Sequence, residues 1–80
     1  MKYARFLELV TNDNVVGYAI DLQGYDAEFI KLIKLRLPIG ERAWSPKENW
    51  WTVSEDYTTE ALEILAELEY EVLYEAVEVL

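Results

Sequence analysis

Apolar residues with polar residues interspersed make up most of the first 22 residues, which is a pattern compatible with β-strands. The segments YARFLELVT and VVGYAIDL are also rich in β-branched and aromatic residues, which favour strands. The NDN between them suits a tight turn, because Asn and Asp tolerate a positive φ. The first part of the chain therefore predicts an antiparallel β-hairpin.

The apolar spacing changes to three and four residues between Gly24 and Pro38, which predicts an amphipathic α-helix. Asp26 is placed to cap this helix, and Pro38 disfavours helical geometry at the residue before it. The apolar residues that recur at this spacing are Phe29, Ile30, Ile33 and Leu37.

All three tryptophans lie in ERAWSPKENWWTV, residues 41–53, where a Ser-Pro pair suits a type I turn. If residues 46–49 form the loop, Trp44 and Trp51 lie opposite each other on one face of a second hairpin. Trp50 then projects from the other face. We therefore expect Trp44 and Trp51 to belong to the core and Trp50 to present its ring to the outside.

The last part of the chain begins as a second helix, which Thr58 is expected to cap. Its buried side is lined by Leu62, Leu65 and Leu68. A helix unbroken to Leu80 would stack glutamates four residues apart, at a cost of roughly 0.2–0.5 kcal/mol for each like-charge pair. The EYEV segment also alternates like a strand. We therefore expect a break near residues 69–73, followed by a short terminal helix.

These elements predict an α+β fold in a single domain, residues 1–80, with the order β-β-α-β-β-α. The expected sheet is small, antiparallel and four-stranded. The helices are expected to pack against it.

The composition argues against an enzyme. The chain has no cysteine and no histidine, so it lacks the usual zinc ligands and the usual general base. Its three glycines are isolated and form no phosphate-binding loop. We therefore expect neither catalysis nor a metal or other cofactor. No apolar run approaches the roughly 18 residues of a membrane span, so we expect a cytoplasmic protein without a membrane partner.

The net charge of −9 is unevenly distributed. Nine of the 16 acidic residues and no basic residue lie between Glu55 and the C-terminus, whereas residues 1–54 are neutral. Most of the basic residues gather in the first helix and the tryptophan hairpin. This partition yields two candidate binding surfaces.

The first candidate is a nucleic-acid-binding surface. An outward-facing indole ring beside a lysine would stack on an unpaired base, an interaction of about 1–3 kcal/mol, while other cations contact phosphates. The candidate residues are Trp50, Lys47, Arg42, Lys34, Arg36 and Lys31. The alternatives are that Trp50 covers a helix or an oligomer partner, that the helix cations form a solvated face, and that Arg42 lies over an indole ring.

The second candidate is an acidic, partner-binding surface on the C-terminal helix. Its residues are Glu63, Glu67, Glu71 and Glu75. Such a surface would bind a basic protein, or would imitate the phosphate backbone of DNA and inhibit a DNA-binding protein. The alternative is an ordinary solvated helix face.

The tryptophan hairpin also carries a family resemblance. The motif consists of Arg42, Trp44, Ser45 and Pro46, then Trp51, Thr52 and Val53, and the leucine-rich segment ALEILAELEYEV. It resembles the small HARP-like module, which precedes the motor of SNF2-type annealing helicases and occurs in bacterial and phage helicase-related proteins. The resemblance implies a compact α+β module without nuclease or ATPase activity that assists DNA remodelling or binds DNA junctions. The leading hypothesis is therefore a non-enzymatic module of DNA repair, recombination or replication. Its expected partners are single-stranded or forked DNA, or a helicase-type protein.

Overall fold

The computed structural model describes residues 1–79 and has an α+β fold, as predicted. The elements are β1 (Lys2–Thr11), β2 (Asn14–Leu22), α1 (Ala27–Arg36), β3 (Arg42–Ser45), β4 (Trp50–Val53), α2 (Thr58–Glu67) and β5 (Tyr70–Glu78). Short 3-10 turns, Ile39–Glu41 and Glu55–Tyr57, precede β3 and α2. The predicted order β-β-α-β-β-α is therefore confirmed, and β5 follows it as an additional strand.

The five strands form one mixed sheet in the order β3-β4-β2-β1-β5. Both predicted hairpins are antiparallel, and β2 joins them by pairing with β4. The predicted register of the second hairpin is confirmed, with Trp44 opposite Trp51 and Ser45 opposite Trp50. The sheet is not purely antiparallel, because β5 runs parallel to β1.

Both helices pack on one side of the sheet, which we call the helix-covered face. Asp26 caps α1 as predicted, and its carboxylate accepts hydrogen bonds from the backbone N–H groups of Glu28 and Phe29 at 3.0 and 3.2 Å. The buried core on this face consists of Ala4, Phe6, Ile20, Phe29, Ile33, Leu37, Trp51, Val53, Ala61, Ile64 and Leu65. Removing these side chains from water is the main favourable contribution to folding in so short a chain.

The opposite side of the sheet, the helix-free face, has a smaller core of its own. Leu7 and Ala19 are fully buried there, although no helix covers them. Trp50 packs against both, and Leu9 and Val77 are partly buried beside them. The Trp50 indole ring therefore covers the buried residues of this face, as the two helices cover those of the other face.

The start of α2 differs from the prediction. Thr58 is the first residue of the helix rather than its cap, and its hydroxyl donates a hydrogen bond to the Glu55 carbonyl at 3.0 Å. The preceding 3-10 turn leads directly into the helix, which begins without a side-chain cap. On the buried side of α2, Leu65 is fully buried as predicted, and the other two predicted leucines are partly buried.

The prediction of a short terminal helix is wrong, because the chain breaks where expected but continues as β5. The helix α2 ends at Glu67, and Glu69 adopts a φ of 63°, a left-handed conformation common after a helix. β5 then pairs with β1 through nine consecutive residue pairs. This pairing satisfies the free backbone groups along β1, and Tyr70 and Val72 pack against the core of the helix-covered face.

Candidate binding surfaces

Trp50 lies on the helix-free face, as the alternation predicts, but its ring is not exposed. Only 8% of its surface is accessible, because the ring packs against Leu7 and Ala19. The expectation that this ring is exposed is therefore wrong. For Trp50 to stack on a base, the ring would have to leave these two residues and expose them to water.

Trp44 is the tryptophan whose ring is exposed, at 46% of its surface. Its pairing with Trp51 is confirmed, with ring centroids 5.6 Å apart. The expectation that Trp44 belongs to the core is wrong, because it lies in β3 at the edge of the sheet, where only one neighbouring strand flanks it. The exposed indole of the hairpin is therefore on the helix-covered face.

A groove of about 520 Å³ adjoins this tryptophan pair. The residues that matter for its chemistry are Tyr25, Ile30, Lys34, Trp44, Asn49 and Trp51. Tyr25 is 85% exposed, so two large aromatic rings and a lysine are accessible there. No local pattern predicts this groove, because Tyr25 precedes α1 and approaches the hairpin only through the fold.

Arg36, the last residue of α1, is held by α2. Its guanidinium faces three carboxylates at 2.7, 3.5 and 2.5 Å, those of Glu60, Glu63 and Glu67. Hydrogen bonds to Glu67 and then to Glu60 raise the pKa of Arg36 above its usual value. This arginine therefore joins the two helices, and its charge is already offset within the chain.

The other predicted cations are spread over several elements. Arg42 donates a hydrogen bond to the backbone carbonyl of Leu37 at 3.2 Å, which ties β3 to the end of α1. Lys31 and Lys34 are exposed on α1, and Lys47 is exposed in the hairpin loop. Of these, the structure brings only Lys34 to the aromatic groove. The predicted basic residues are thus not gathered around Trp50.

The expectation that the acidic residues lie on one C-terminal helix is wrong, because they are divided between a helix and a strand. Glu63 and Glu67 lie in α2, whereas Glu71 and Glu75 are exposed on β5 and share the helix-free face with Arg5. The carboxylate of Glu75 lies 3.4 Å from the Arg5 guanidinium.

Arg5 has a second carboxylate partner. Its guanidinium lies 2.5 Å from Asp21, and the hydrogen bond to this carboxylate is the main reason that the pKa of Arg5 is raised. Arg5 thereby links three neighbouring strands, β2, β1 and β5.

The outer edge of β5 is a feature that sequence reasoning missed. β5 is the last strand on its side of the sheet, so within residues 1–79 its outer edge pairs with no other strand. Leu73 is 46% exposed and Tyr74 is 68% exposed, and the Tyr74 ring lies 5.9 Å from that of Phe6. The apolar residues at every second position from Tyr70 to Ala76, together with the alternation in EYEV, are the signal that predicts this strand.

Asp26 links α1 to β5. The Tyr70 hydroxyl donates a hydrogen bond to its carboxylate at 2.5 Å, and the Lys2 ammonium lies 4.7 Å from the centre of the Tyr70 ring. The hydrogen bond from Tyr70 is the main cause of the lowered pKa of Asp26. Burial, followed by the hydrogen bond to Asp26, raises the pKa of Tyr70. These groups connect the start of α1 to the first residue of β5.

Within the part of the chain that the structure describes, neither helix has the length and apolar character needed to cross a membrane. The same residues hold no group of three or more His, Cys, Asp or Glu side chains able to bind a metal ion. Comparisons with protein-family models, with curated proteins and with solved structures gave no match. The resemblance to the HARP-like module therefore stays a prediction.

Proposed function

We propose that the chain is a non-enzymatic protein-interaction module that binds a basic partner through an acidic surface. This surface spans both sides of the sheet, because α2 lies on the helix-covered face whereas Glu71 and Glu75 of β5 lie on the helix-free face. Its residues are the exposed glutamates of α2, of β5 and of the turn between them: Glu63, Glu67, Glu69, Glu71, Glu75 and Glu78. The observation that carries the proposal is that the elements bearing these glutamates supply no cation of their own. Neither α2 nor β5 contains a basic residue.

Two arginines of other elements approach this surface, but they leave most of its charge uncompensated. Arg36 also contacts Glu60, and Arg5 also contacts Asp21, so each arginine is shared with a carboxylate outside the surface. Partly screened charges of one sign on an exposed surface steer oppositely charged partners and select among them. A basic protein segment is therefore the partner that this surface fits best.

The test is a titration with a short fluorescent peptide of alternating lysine and serine, at low salt. We expect binding that weakens as salt is added, because exposed ion pairs are screened. The double substitution Glu67→Lys and Glu71→Lys is expected to weaken binding by about tenfold, since each exposed ion pair contributes roughly 0.2–1 kcal/mol and each reversal also adds repulsion.

The matched control is Glu28→Lys with Glu48→Lys, which makes the same change in net charge at exposed positions of α1 and the hairpin loop. This pair is expected to weaken binding much less. Equal weakening by both pairs would show that the peptide responds only to the overall charge, and the acidic surface would lose its support.

We propose a second function for the aromatic groove beside Trp44: contact with single-stranded or forked DNA, or with a helicase-type partner, during repair, recombination or replication. The observation that favours it is the exposure of Tyr25 and Trp44 beside Lys34. Bases stack on accessible aromatic rings, and a neighbouring ammonium group suits a phosphate. Lys31 lies one turn before Lys34 on α1 and extends the cationic side of the helix.

A low-salt titration against fluorescent single-stranded, duplex and forked DNA tests this second function. We expect single-stranded or forked DNA to bind more tightly than duplex DNA, and Trp44→Ala to weaken binding about tenfold, the effect of losing one stacked base. Tyr74→Ala is the control, because it removes an exposed aromatic ring from the far edge of the sheet. No measurable DNA binding at low salt would end this proposal.

A further inference from the structure

Within residues 1–79, the outer edge of β5 presents unpaired backbone groups in a regular row. Val79 donates its backbone N–H to the Val10 carbonyl at 2.9 Å, so the backbone groups of Val79 point towards β1. Backbone groups of successive strand residues point to opposite edges. Those of Val72, Tyr74 and Ala76 therefore point away from β1 and form the central part of the free edge.

Apart from its glutamates, this edge lacks the features that usually prevent strands from pairing. Exposed edges are commonly shortened, bulged, or interrupted by proline or lysine. β5 has nine residues, contains neither proline nor lysine, and keeps an unbroken register with β1. The charged side chains along it are all glutamates: Glu71, Glu75 and Glu78. They oppose the approach of an acidic strand and favour a basic one.

A second copy of this chain fits the edge poorly. Pairing β5 with β5 would bring two sets of glutamates together in the same sheet, and each copy carries a net charge of −9. Like charges on adjacent strands are destabilising. Charge complementarity therefore selects an extended basic segment of a different protein.

We propose that β5 accepts a basic, extended segment of a partner protein as a further strand of the sheet. The proposal rests on the protein-interaction function above and specifies how the acidic surface binds. Two basic side chains of the added strand face Glu71 and Glu75 on the helix-free face, and an apolar side chain between them packs against Leu73. On the helix-covered face, an apolar side chain contacts the exposed ring of Tyr74.

The experiment uses the fluorescent peptide Thr-Lys-Val-Leu-Val-Lys-Thr, whose two lysines are spaced to face the two glutamates. A second peptide of identical sequence carries N-methyl groups on alternate residues, on the edge that would face β5. N-methylation removes backbone donors but leaves the charge unchanged, so we expect it to weaken binding at least about tenfold, the effect of losing one or more hydrogen bonds. Amide hydrogen exchange of the protein is measured with and without the first peptide.

Strand addition is expected to slow the exchange of the backbone amides of Val72, Tyr74 and Ala76, because the added strand accepts their hydrogen bonds. Equal binding of both peptides with no slowing at these amides would overturn strand addition, while the proposed protein-interaction function would stand. Slowing that appears without peptide and grows with protein concentration would identify a second copy as the occupant and also overturn the proposal. If the lysine-serine peptide fails to bind as well, the proposed function itself fails.

Discussion

Trp50→Ala is expected to lower the free energy of unfolding by about 3 kcal/mol or more, the usual cost of truncating a buried tryptophan. The ring is 8% exposed and packs against the fully buried Leu7 and Ala19. Truncation opens both residues to water, because no helix lies on this face to move into the space. Equilibrium urea unfolding followed by circular dichroism measures the change.

Trp44→Ala is the matched control within the same hairpin. Its ring is 46% exposed, so we expect a loss of about 1 kcal/mol, mainly from the contact with the Trp51 ring. A smaller loss for Trp50→Ala than for Trp44→Ala would contradict the assignment of Trp50 as the cover of the helix-free face.

This difference decides how binding experiments on the hairpin are interpreted. A variant that loses the cover of Leu7 and Ala19 loses stability, so weaker binding by Trp50→Ala does not identify a contact with a ligand. Trp44 is the better probe, because its ring is exposed and lines the aromatic groove.

The properties of neighbouring residues were sufficient to predict much of the fold. The cap at Asp26, the loop at residues 46–49 and the opposition of Trp44 and Trp51 follow from short-range chemistry and from the alternation of a strand, and the structure confirms each. These features depend on residues close together in the chain. They are therefore accessible to a reading of the sequence alone.

The exposure of the tryptophans was not accessible in this way. Alternation assigns a side chain to one face of a strand, but it does not say whether another element covers that face or whether the strand is at an edge. Trp50 is buried because it packs on Leu7 and Ala19, which belong to strands that are distant along the chain. Trp44 is exposed because β3 is an edge strand. Both outcomes depend on the order of strands in the sheet.

The strand β5 was obscured by the spacing of its glutamates. Glu71 and Glu75 are four residues apart, and this spacing places two side chains on the same side of both a helix and a strand. The segment forms a strand rather than a helix because it pairs with β1, which lies at the other end of the chain. The acidic residues were therefore predicted correctly as exposed, but their arrangement on the edge of a sheet was not predicted.

Tyr70→Phe is expected to destabilise the protein by about 1.5 kcal/mol near neutral pH and by much less at the extremes of pH. The hydrogen bond from Tyr70 lowers the pKa of Asp26, so its contribution is complete above the ordinary Asp value of 3.8 and is lost as the pH falls through the folded-state value. The pKa of Tyr70 is raised, so on the alkaline side the contribution declines as the pH rises above the ordinary tyrosine value of 10.0. Urea unfolding of both proteins across this pH range measures the difference.

The stability of Tyr70→Phe has to be compared with that of the wild type at each pH, because the stability of the whole chain also depends on pH. At a net charge of −9, protonation of exposed carboxylates relieves repulsion and stabilises the fold, but it does so equally in both proteins. Tyr74→Phe is the control: its ring is 68% exposed, and we expect almost no change at any pH. If the difference in stability between wild type and Tyr70→Phe persisted undiminished well below the pKa of Asp26, the tyrosine would act through its packing. The connection between α1 and β5 would then not depend on the carboxylate of Asp26.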